Sequence, residues 1–295
     1  MTKPRFSIVI PTRDRASSLR LCLTALLAQM DPELDDVLVV DDGSTDETDL
    51  VRQDFPSVRW LSSGGRGTCA ARNVGVAESR GDVVLFVDDD IVIAEGLLDR
   101  HRAFHESHLS QEDALVGLVT WDRSQPITKH MLWLEDGGPL FSFNTINDHD
   151  DVDPSHFCTA NVSVKRSLLS TVDGPFDERI KRFTDVELGH RLAKTGMRLH
   201  YDPEAIAWHL RSDTPATTDR RMFVVGEASV LLDQIHPGVA PPAAPRTFAR
   251  RMKVLLAKLM TPLTPMLPEG LASQIWASRA AWAYSSGRAS KELDA

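Results

Sequence analysis

Short apolar runs alternate with longer polar stretches through the first ninety residues of the chain. The runs are rich in β-branched residues and are apolar at consecutive positions, as strands buried on both faces of a sheet must be. They cover residues 6–10, 37–40, 58–61 and 83–87. Strands that alternate with helical segments predict an α/β fold with a mostly parallel central sheet.

Helical spacing fills the intervals between these runs. Leu and Ala recur at three- and four-residue steps over residues 17–29, and a third helix is predicted over residues 67–77. Ser44 and Glu47 have the spacing of a capping box, which predicts the start of the second helix. These segments are the crossover helices that parallel strands require.

The pattern is less regular after residue 110. Strands are predicted over residues 114–120, 160–165, 198–201 and 205–209, and helices over 185–195, 247–260 and 271–284. Gly196 is suited to end the first of these helices in a left-handed conformation. The proline-rich stretch over residues 237–245 predicts a stiff linker. We therefore predict a main domain over residues 1–240 and a helical extension over 241–295.

The charge distribution limits the classes of partner. The formal net charge is −9, which argues against a general nucleic-acid binder because that role needs a dense basic surface. Three cysteines without a CxxC pair favour a reducing compartment. The first residues lack a signal peptide's apolar region, and no apolar run reaches the roughly 18–20 residues of a membrane span. We expect a cytoplasmic protein.

Acidic and polar residues follow three predicted strands, at the sheet edge where ligands bind in parallel α/β folds. The segments begin at Pro11, at Asp41 and at Asp88. Asp88, Asp89 and Asp90 repel one another at the tip of a buried strand, and a divalent cation such as Mn²⁺ or Mg²⁺ would relieve the repulsion. The alternative is that the triplet only caps the next helix or stays solvated.

Six motifs in this order resemble the inverting family 2 glycosyltransferases, whose nucleotide-sugar-binding fold is of the GT-A type. The similarity covers about residues 5–210. The motifs are Ser7-Ile8-Val9-Ile10-Pro11-Thr12, Val39-Val40-Asp41-Asp42-Gly43-Ser44-Thr45-Asp46, Ala71-Arg72-Asn73-Val74-Gly75, Phe86-Val87-Asp88-Asp89-Asp90, Gly174-Pro175-Phe176-Asp177-Glu178 and Asp185-Val186-Glu187-Leu188. The resemblance implies a nucleotide-binding half over residues 1–110 and an acceptor-binding half over 111–240.

The resemblance also implies roles for individual residues. Those expected to contact the nucleotide or donor sugar are Pro11, Thr12, Arg13, Asp41, Asp42, Arg72, Asn73, Asp88 and Asp89. Asp90, together with Asp88 and His209, is expected to bind Mn²⁺ or Mg²⁺. The metal would stabilise the diphosphate as it leaves.

Asp185 matches the carboxylate that the family uses as catalytic base, and it lies at a predicted helix start that favours its ionised form. Relatives usually have Glu before this Asp, whereas this chain has Thr184. Glu187 is the second choice for the base. A helix cap without catalytic function is the structural alternative for Asp185.

The sequence thus predicts a metal-dependent inverting glycosyltransferase that moves one sugar from a nucleoside-diphosphate sugar to an unidentified acceptor. A sugar-phosphate nucleotidyltransferase is the alternative enzyme, although the glycine-rich phosphate loop that it should have after the first strand is missing. A catalytically degenerate GT-A scaffold or binding subunit is the non-enzymatic alternative, and Thr184 gives it some support.

Two further patterns complete the prediction. Residues 246–295 carry eight basic and three acidic side chains, and the helix over 247–260 has an apolar stripe. This helix is expected to contact the inner face of an anionic membrane, the catalytic domain or a second copy of the chain. His101, His105 and His108 fall on one helix face by their spacing, and we interpret them as surface residues.

Overall fold

The computed structural model describes residues 3–292, and in this part of the chain eight strands form one sheet. The strands are β1 (Phe6–Thr12), β2 (Asp36–Asp41), β3 (Arg59–Ser62), β4 (Val83–Phe86), β5 (Ile91–Ile93), β6 (Asp113–Trp121), β7 (Val162–Lys165) and β8 (Arg198–His209). Their order across the sheet is β3-β2-β1-β4-β7-β6-β8-β5.

The helices lie between and after these strands. They are α1 (Ala16–Leu27), α2 (Thr48–Asp54), α3 (Thr68–Glu78), α4 (Leu97–Ser107), α5 (Lys129–Asp136), α6 (Arg166–Leu169), α7 (Thr184–Lys194), α8 (Pro215–Ile235), α9 (Phe248–Met260) and α10 (Glu269–Glu292). Among the described residues, no helix is both long and apolar enough to cross a membrane.

The first four strands of the sheet order, β3 to β4, pair in parallel, and β6 pairs in parallel with β8. β7 joins these two groups through antiparallel pairing with β4 on one side and β6 on the other. Every residue of β1 and β4 is buried, which explains why both strands are apolar at consecutive positions. The parallel strands bring their carboxyl ends to one edge, and that edge carries the candidate site.

Some predicted details differ in the structure. The capping box predicted at Ser44 does not form, because α2 begins four residues later, at Thr48. The Ser44 hydroxyl instead donates a hydrogen bond to the Asp41 carboxylate. The two strands predicted over residues 198–201 and 205–209 are one strand, β8, with an irregularity in its pairing to β6. Gly196 does have the predicted positive φ, +102°.

The interpretation of His101 and His105 as surface residues is wrong. Both side chains lie under the sheet, 0% and 3% exposed, because α4 turns this face toward β7. The Ser163 hydroxyl lies 2.8 Å from His101 Nδ1 and 2.8 Å from His105 Nε2, and Asn161 Oδ1 lies 3.0 Å from His101 Nε2. The predicted helix face exists, but it faces a polar part of the core.

By compactness the chain divides into two units. The first unit contains the whole sheet and consists of the described residues up to 122 together with 145–179 and 184–211. The second unit is helical and consists of residues 123–144, 180–183 and the described residues from 212 onward. This division differs from the boundary near residue 240, because α8 packs extensively along α10 within the second unit.

Candidate donor and catalytic site

The loop after β1 holds two of the three aspartates that follow β4. Thr12 ends β1, and its hydroxyl donates a hydrogen bond of 2.8 Å to Asp89 Oδ2. Arg15 Nη1 lies 3.0 Å from Asp89 Oδ1 and 2.5 Å from Asp90 Oδ2. β1 and β4 are neighbours in the sheet, so their carboxyl ends bring a guanidinium to the acidic triplet. Arg15 therefore neutralises part of the repulsion between the aspartates.

Asp89 has the least exposed side chain of the three aspartates, and its pKa is raised. Burial, together with the charges of Asp90 and Asp88, raises its pKa to about 6, while Arg15 and Thr12 oppose the rise. Its side chain is 7% exposed, and its two oxygens accept from Arg15 and Thr12. Asp89 thus anchors the loop after β1, and contact with a donor stays a prediction for this residue.

Arg72 links the triplet to the helix that carries the predicted base. It lies on α3 and is buried, and its Nη2 donates a hydrogen bond of 2.7 Å to Asp88 Oδ1. Its Nη1 lies 3.4 Å from the hydroxyl oxygen of Thr184, the first residue of α7. Its guanidinium also lies 5.5 Å from the ring centroid of Phe176. One buried cation therefore connects the end of β4 with the start of α7.

Asp185 is the second residue of α7, next to this cation. Burial raises the pKa of its carboxyl, while Arg72 and the backbone N–H of Val186 favour the ionised form. The Val186 N–H donates a hydrogen bond of 3.0 Å to Asp185 Oδ1. A carboxylate with a raised pKa beside a fixed cation is able to accept a proton, which is what the predicted base must do.

The fallback base, Glu187, is held by a different partner. It is 1% exposed, and its carboxylate binds the Arg191 guanidinium through hydrogen bonds of 2.7 and 2.9 Å. The same guanidinium donates to backbone carbonyl groups of residues 173–175. Glu187 therefore orders the chain before α7, and this arrangement favours Asp185 over it as the base.

Asp42 and Asp41 lie where β2 ends. Asp42 is buried and accepts hydrogen bonds from the Ser63 hydroxyl, at 2.6 Å, and from the Gly67 N–H, while Arg13 Nη1 lies 3.5 Å from its carboxylate. Gly67 has φ of +102°, a conformation that favours glycine. Asp42 thus shapes the turn before α3, whereas Asp41 binds Ser44. Contact of either residue with the nucleotide or donor sugar stays a prediction.

Asn73 and Pro11 have structural contacts of their own. The side-chain amide of Asn73 donates a hydrogen bond of 2.8 Å to the Phe176 carbonyl and accepts one of 2.9 Å from the Phe176 N–H. Pro11 is a buried residue of β1 opposite Val40. For both residues, contact with the nucleotide stays a prediction.

No group of three or more His, Cys, Asp or Glu side chains within residues 3–292 is arranged to hold a metal ion. Asp88 and Asp90 nevertheless have the right chemistry, since Mg²⁺ in phosphate-transfer sites is usually held by one or two carboxylates together with substrate phosphates. Asp88 is 31% exposed at the edge, which leaves its carboxylate accessible. These two carboxylates therefore fit a divalent cation that binds with the donor.

His209 fits less well as a ligand in this arrangement. Its Nε2 lies 3.8 Å from Asp90 Oδ1, but its Nδ1 accepts a hydrogen bond of 3.1 Å from the Arg211 N–H. An accepting Nδ1 leaves the proton of a neutral ring on Nε2, and a protonated nitrogen cannot bind a metal. Coordination by His209 Nε2 would require the Arg211 hydrogen bond to break.

Arg15 is the site residue that the sequence analysis missed. It lies two residues beyond Arg13, the last residue of this segment with a predicted site role. A positive charge at this sheet edge was the one signal in the sequence that could have found it. A lone Arg after an acidic residue is common on protein surfaces, so only the pairing of β1 with β4 shows that this cation reaches the acidic triplet.

Comparisons with known proteins agree with this architecture. The family model described as Glycosyl transferase family 2 matches residues 7–171, more than half of the chain. The pre-mycofactocin glycosyltransferase of Mycobacterium tuberculosis (strain ATCC 25618 / H37Rv) is 29% identical over 252 residues, which cover 80% of this chain and 49% of that protein. The chain thus spans about half the length of this curated relative.

Two solved structures share the fold. The mannosyltransferase PcManGT from Pyrobaculum calidifontis, in complex with GDP-Man and Mn²⁺, has a TM-score of 0.63 at 18% identity, covering 100% of this chain and 88% of that chain. S. aureus TarS 1-349, in complex with UDP-GlcNAc, has a TM-score of 0.59 at 15% identity, covering 98% and 92%. The predicted α/β fold of the GT-A type is confirmed, and the chain belongs to glycosyl transferase family 2.

Proposed function

We propose that this protein transfers a single sugar, with inversion at the anomeric carbon, from a nucleoside-diphosphate sugar to an acceptor hydroxyl or similar nucleophile. The observation that carries the proposal is the position of buried Arg72, which donates a hydrogen bond to Asp88 and lies 3.4 Å from the hydroxyl oxygen of Thr184, the residue before Asp185. Its charge also favours the ionised form of Asp185. An inverting displacement needs a carboxylate base on the side opposite the leaving group, held in a fixed relation to the donor site.

The reaction is a single displacement. The acceptor oxygen forms a bond to the anomeric carbon, its proton passes to the Asp185 carboxylate, and the bond from that carbon to the diphosphate breaks with its electron pair on the diphosphate. Asp88 and Asp90 would hold Mn²⁺ or Mg²⁺, which when bound supplies positive charge to the departing diphosphate. Arg72 keeps Asp88 and the start of α7 together, and Thr12 and Arg15 order the loop after β1.

The relatives support a nucleotide-sugar donor. PcManGT was crystallised with GDP-Man and Mn²⁺, and TarS with UDP-GlcNAc. These two donors differ in base and in sugar, so the proposal commits to the donor class alone.

The test is a calorimetric titration of the intact protein with UDP, GDP and the other nucleoside diphosphates, each in Mn²⁺ and in EDTA. We expect one diphosphate to bind, and its affinity to fall at least about tenfold in EDTA, since a cation held by Asp88 and Asp90 would attract the diphosphate charge. A binding diphosphate with equal affinity in both buffers would overturn the metal role, and no binding by any of them would overturn the donor class.

A further inference from the structure

Helix α9 presents its large apolar side chains to solvent. The exposed set, with fractional exposures, is Phe248 77%, Met252 48%, Leu255 47%, Leu256 60% and Leu259 76%. The apolar series continues along the chain after α9 in Leu263, at 47%, and Met266, at 85%. A contiguous series of exposed apolar residues marks an interaction surface.

The helix already has a separate packing face within the second unit. Val254 and Ala257 are buried, and Ala257 belongs to an apolar cluster with Ala272, Ile275 and Trp276. At 100° per residue, Val254 and Ala257 point away from the side that carries Phe248, Leu255 and Leu259. The exposed face is therefore a second apolar surface of α9 rather than an incomplete part of this cluster.

Basic side chains border the exposed face. Residues 234–268 contain no Asp or Glu. On the helix, Arg251 and Lys258 lie along one edge of the apolar face and Lys253 lies along the other. All three side chains are exposed. The surface thus combines a row of apolar side chains with cations on both flanks.

We propose that this face of α9 binds an anionic lipid surface, with the helix lying in the plane of the membrane interface. Such helices bury their apolar side chains at the level of the acyl chains while Lys and Arg contact anionic headgroups. A second copy of the chain fits less well as the occupant, because it would bring two positively charged tails together. The 246–295 segment has five more basic than acidic residues.

The experiment is flotation of the intact protein with vesicles of phosphatidylcholine alone and of phosphatidylcholine mixed with phosphatidylglycerol. We expect binding to the mixed vesicles only, weakened as NaCl rises from about 0.1 M to about 0.5 M because salt screens the headgroup charge. Two double variants separate the contributions: Leu255→Glu with Leu259→Glu, and Arg251→Glu with Lys258→Glu. Each should lower the partition onto mixed vesicles at least about tenfold.

The matched control is Leu50→Glu with Leu109→Glu, which changes two leucines that are 53% and 61% exposed elsewhere in the chain. This control should float like the unchanged protein, and circular dichroism of all variants checks that they fold. Failure of the unchanged protein to float with the mixed vesicles overturns the proposal. A dimer in light scattering that the Leu255→Glu and Leu259→Glu substitutions dissociate also overturns it, since the occupant would then be a second copy.

Discussion

Arg72 serves two carboxylates that have different proposed roles. Its hydrogen bond holds Asp88 at the sheet edge that carries the candidate site, and its charge favours the ionised form of Asp185, whose pKa burial raises. Its desolvation lowers its own pKa, but the attraction of Asp88 and Asp185 outweighs this, so the pKa is raised and the guanidinium stays charged. A neutral residue at position 72 would leave both carboxylates without a fixed cation.

Asp185→Asn tests the proposed catalytic base directly. The amide cannot accept the acceptor's proton, so we expect kcat to fall by about 10²–10⁴ while donor affinity changes little. Steady-state kinetics and calorimetric donor binding make the measurement. Asp173→Asn, an exposed carboxylate in the segment before α7, is the matched control and should keep full turnover. Full turnover in Asp185→Asn would show that another group accepts the proton.

Arg15 would compete with the proposed metal ion for Asp90. Its Nη1 lies 2.5 Å from Asp90 Oδ2, so Arg15→Gln removes a positive charge beside a proposed ligand. In the absence of donor, the Arg15→Gln protein should bind Mn²⁺ about threefold to tenfold more tightly than the unchanged protein, because roughly 1 kcal/mol of repulsion is lost. Electron paramagnetic resonance of Mn²⁺ measures this affinity.

The control for that change is Arg20→Gln, which removes an exposed ion pair to Asp54. It should leave the Mn²⁺ affinity unchanged. Weaker Mn²⁺ binding in Arg15→Gln would mean that Arg15 holds Asp90 in place for the metal instead of competing with it.

The helices of the second unit depend on two close backbone contacts. A Cβ added at Gly226 in α8 would overlap the Tyr284 carbonyl of α10, and one added at Gly287 would overlap the Phe223 carbonyl of α8. At these two positions the backbones of α8 and α10 are close enough that only glycine fits. This explains why α8 has no single apolar stripe and was not predicted from periodicity, since its packing depends on small residues.

Gly226→Ala is the corresponding test. The added methyl must push α10 away from α8, and we expect the free energy of unfolding to fall by about 1–3 kcal/mol or more despite alanine's higher helix propensity. Urea unfolding followed by circular dichroism measures it. Gly270→Ala, at the start of α10 with no atom within 4 Å of the added Cβ, should be neutral or stabilising. Equal stability of both variants would contradict the contact.

Acid should destabilise the molecule through its buried histidines. Burial lowers the pKa of His101 to about 4 and that of His105 to about 2. In the unfolded chain both titrate near their ordinary value of 6.5. Below that pH the two histidines are protonated in the unfolded chain but stay neutral in the folded protein. Their contribution to the free energy of unfolding is therefore complete above about pH 6.5, and it falls steadily as the pH decreases toward 4 and lower.

Between pH 6.5 and its pKa in the folded protein, each of these histidines lowers the free energy of unfolding by about 1.4 kcal/mol per pH unit. Urea unfolding at about pH 7.5 and about pH 5 measures the loss, and His105→Gln should show a smaller loss between the two values than the unchanged protein. An identical loss in the variant would assign the acid sensitivity to other groups.

The sequence predicted the parallel strands and the acidic edge because both follow from local rules. Residues of β1 and β4 are buried on both faces, so their apolar runs are continuous, and parallel strands place their ends together. The contacts of Arg15 and Asn73 could not be predicted, because they join residues 75 and 103 positions apart in the chain. The buried face of α4 was missed for the same reason, since its partners, Asn161 and Ser163, lie on or just before β7.

The antiparallel β7 has a consequence for synthesis on the ribosome. Its pairing with β4 requires residues separated by the 75 positions between Phe86 and Val162. At about 5–20 residues per second, the nascent chain carries an open apolar strand edge for about 4–15 s before its partner emerges. Cotranslational chaperones that cover such edges should therefore raise the yield of this protein.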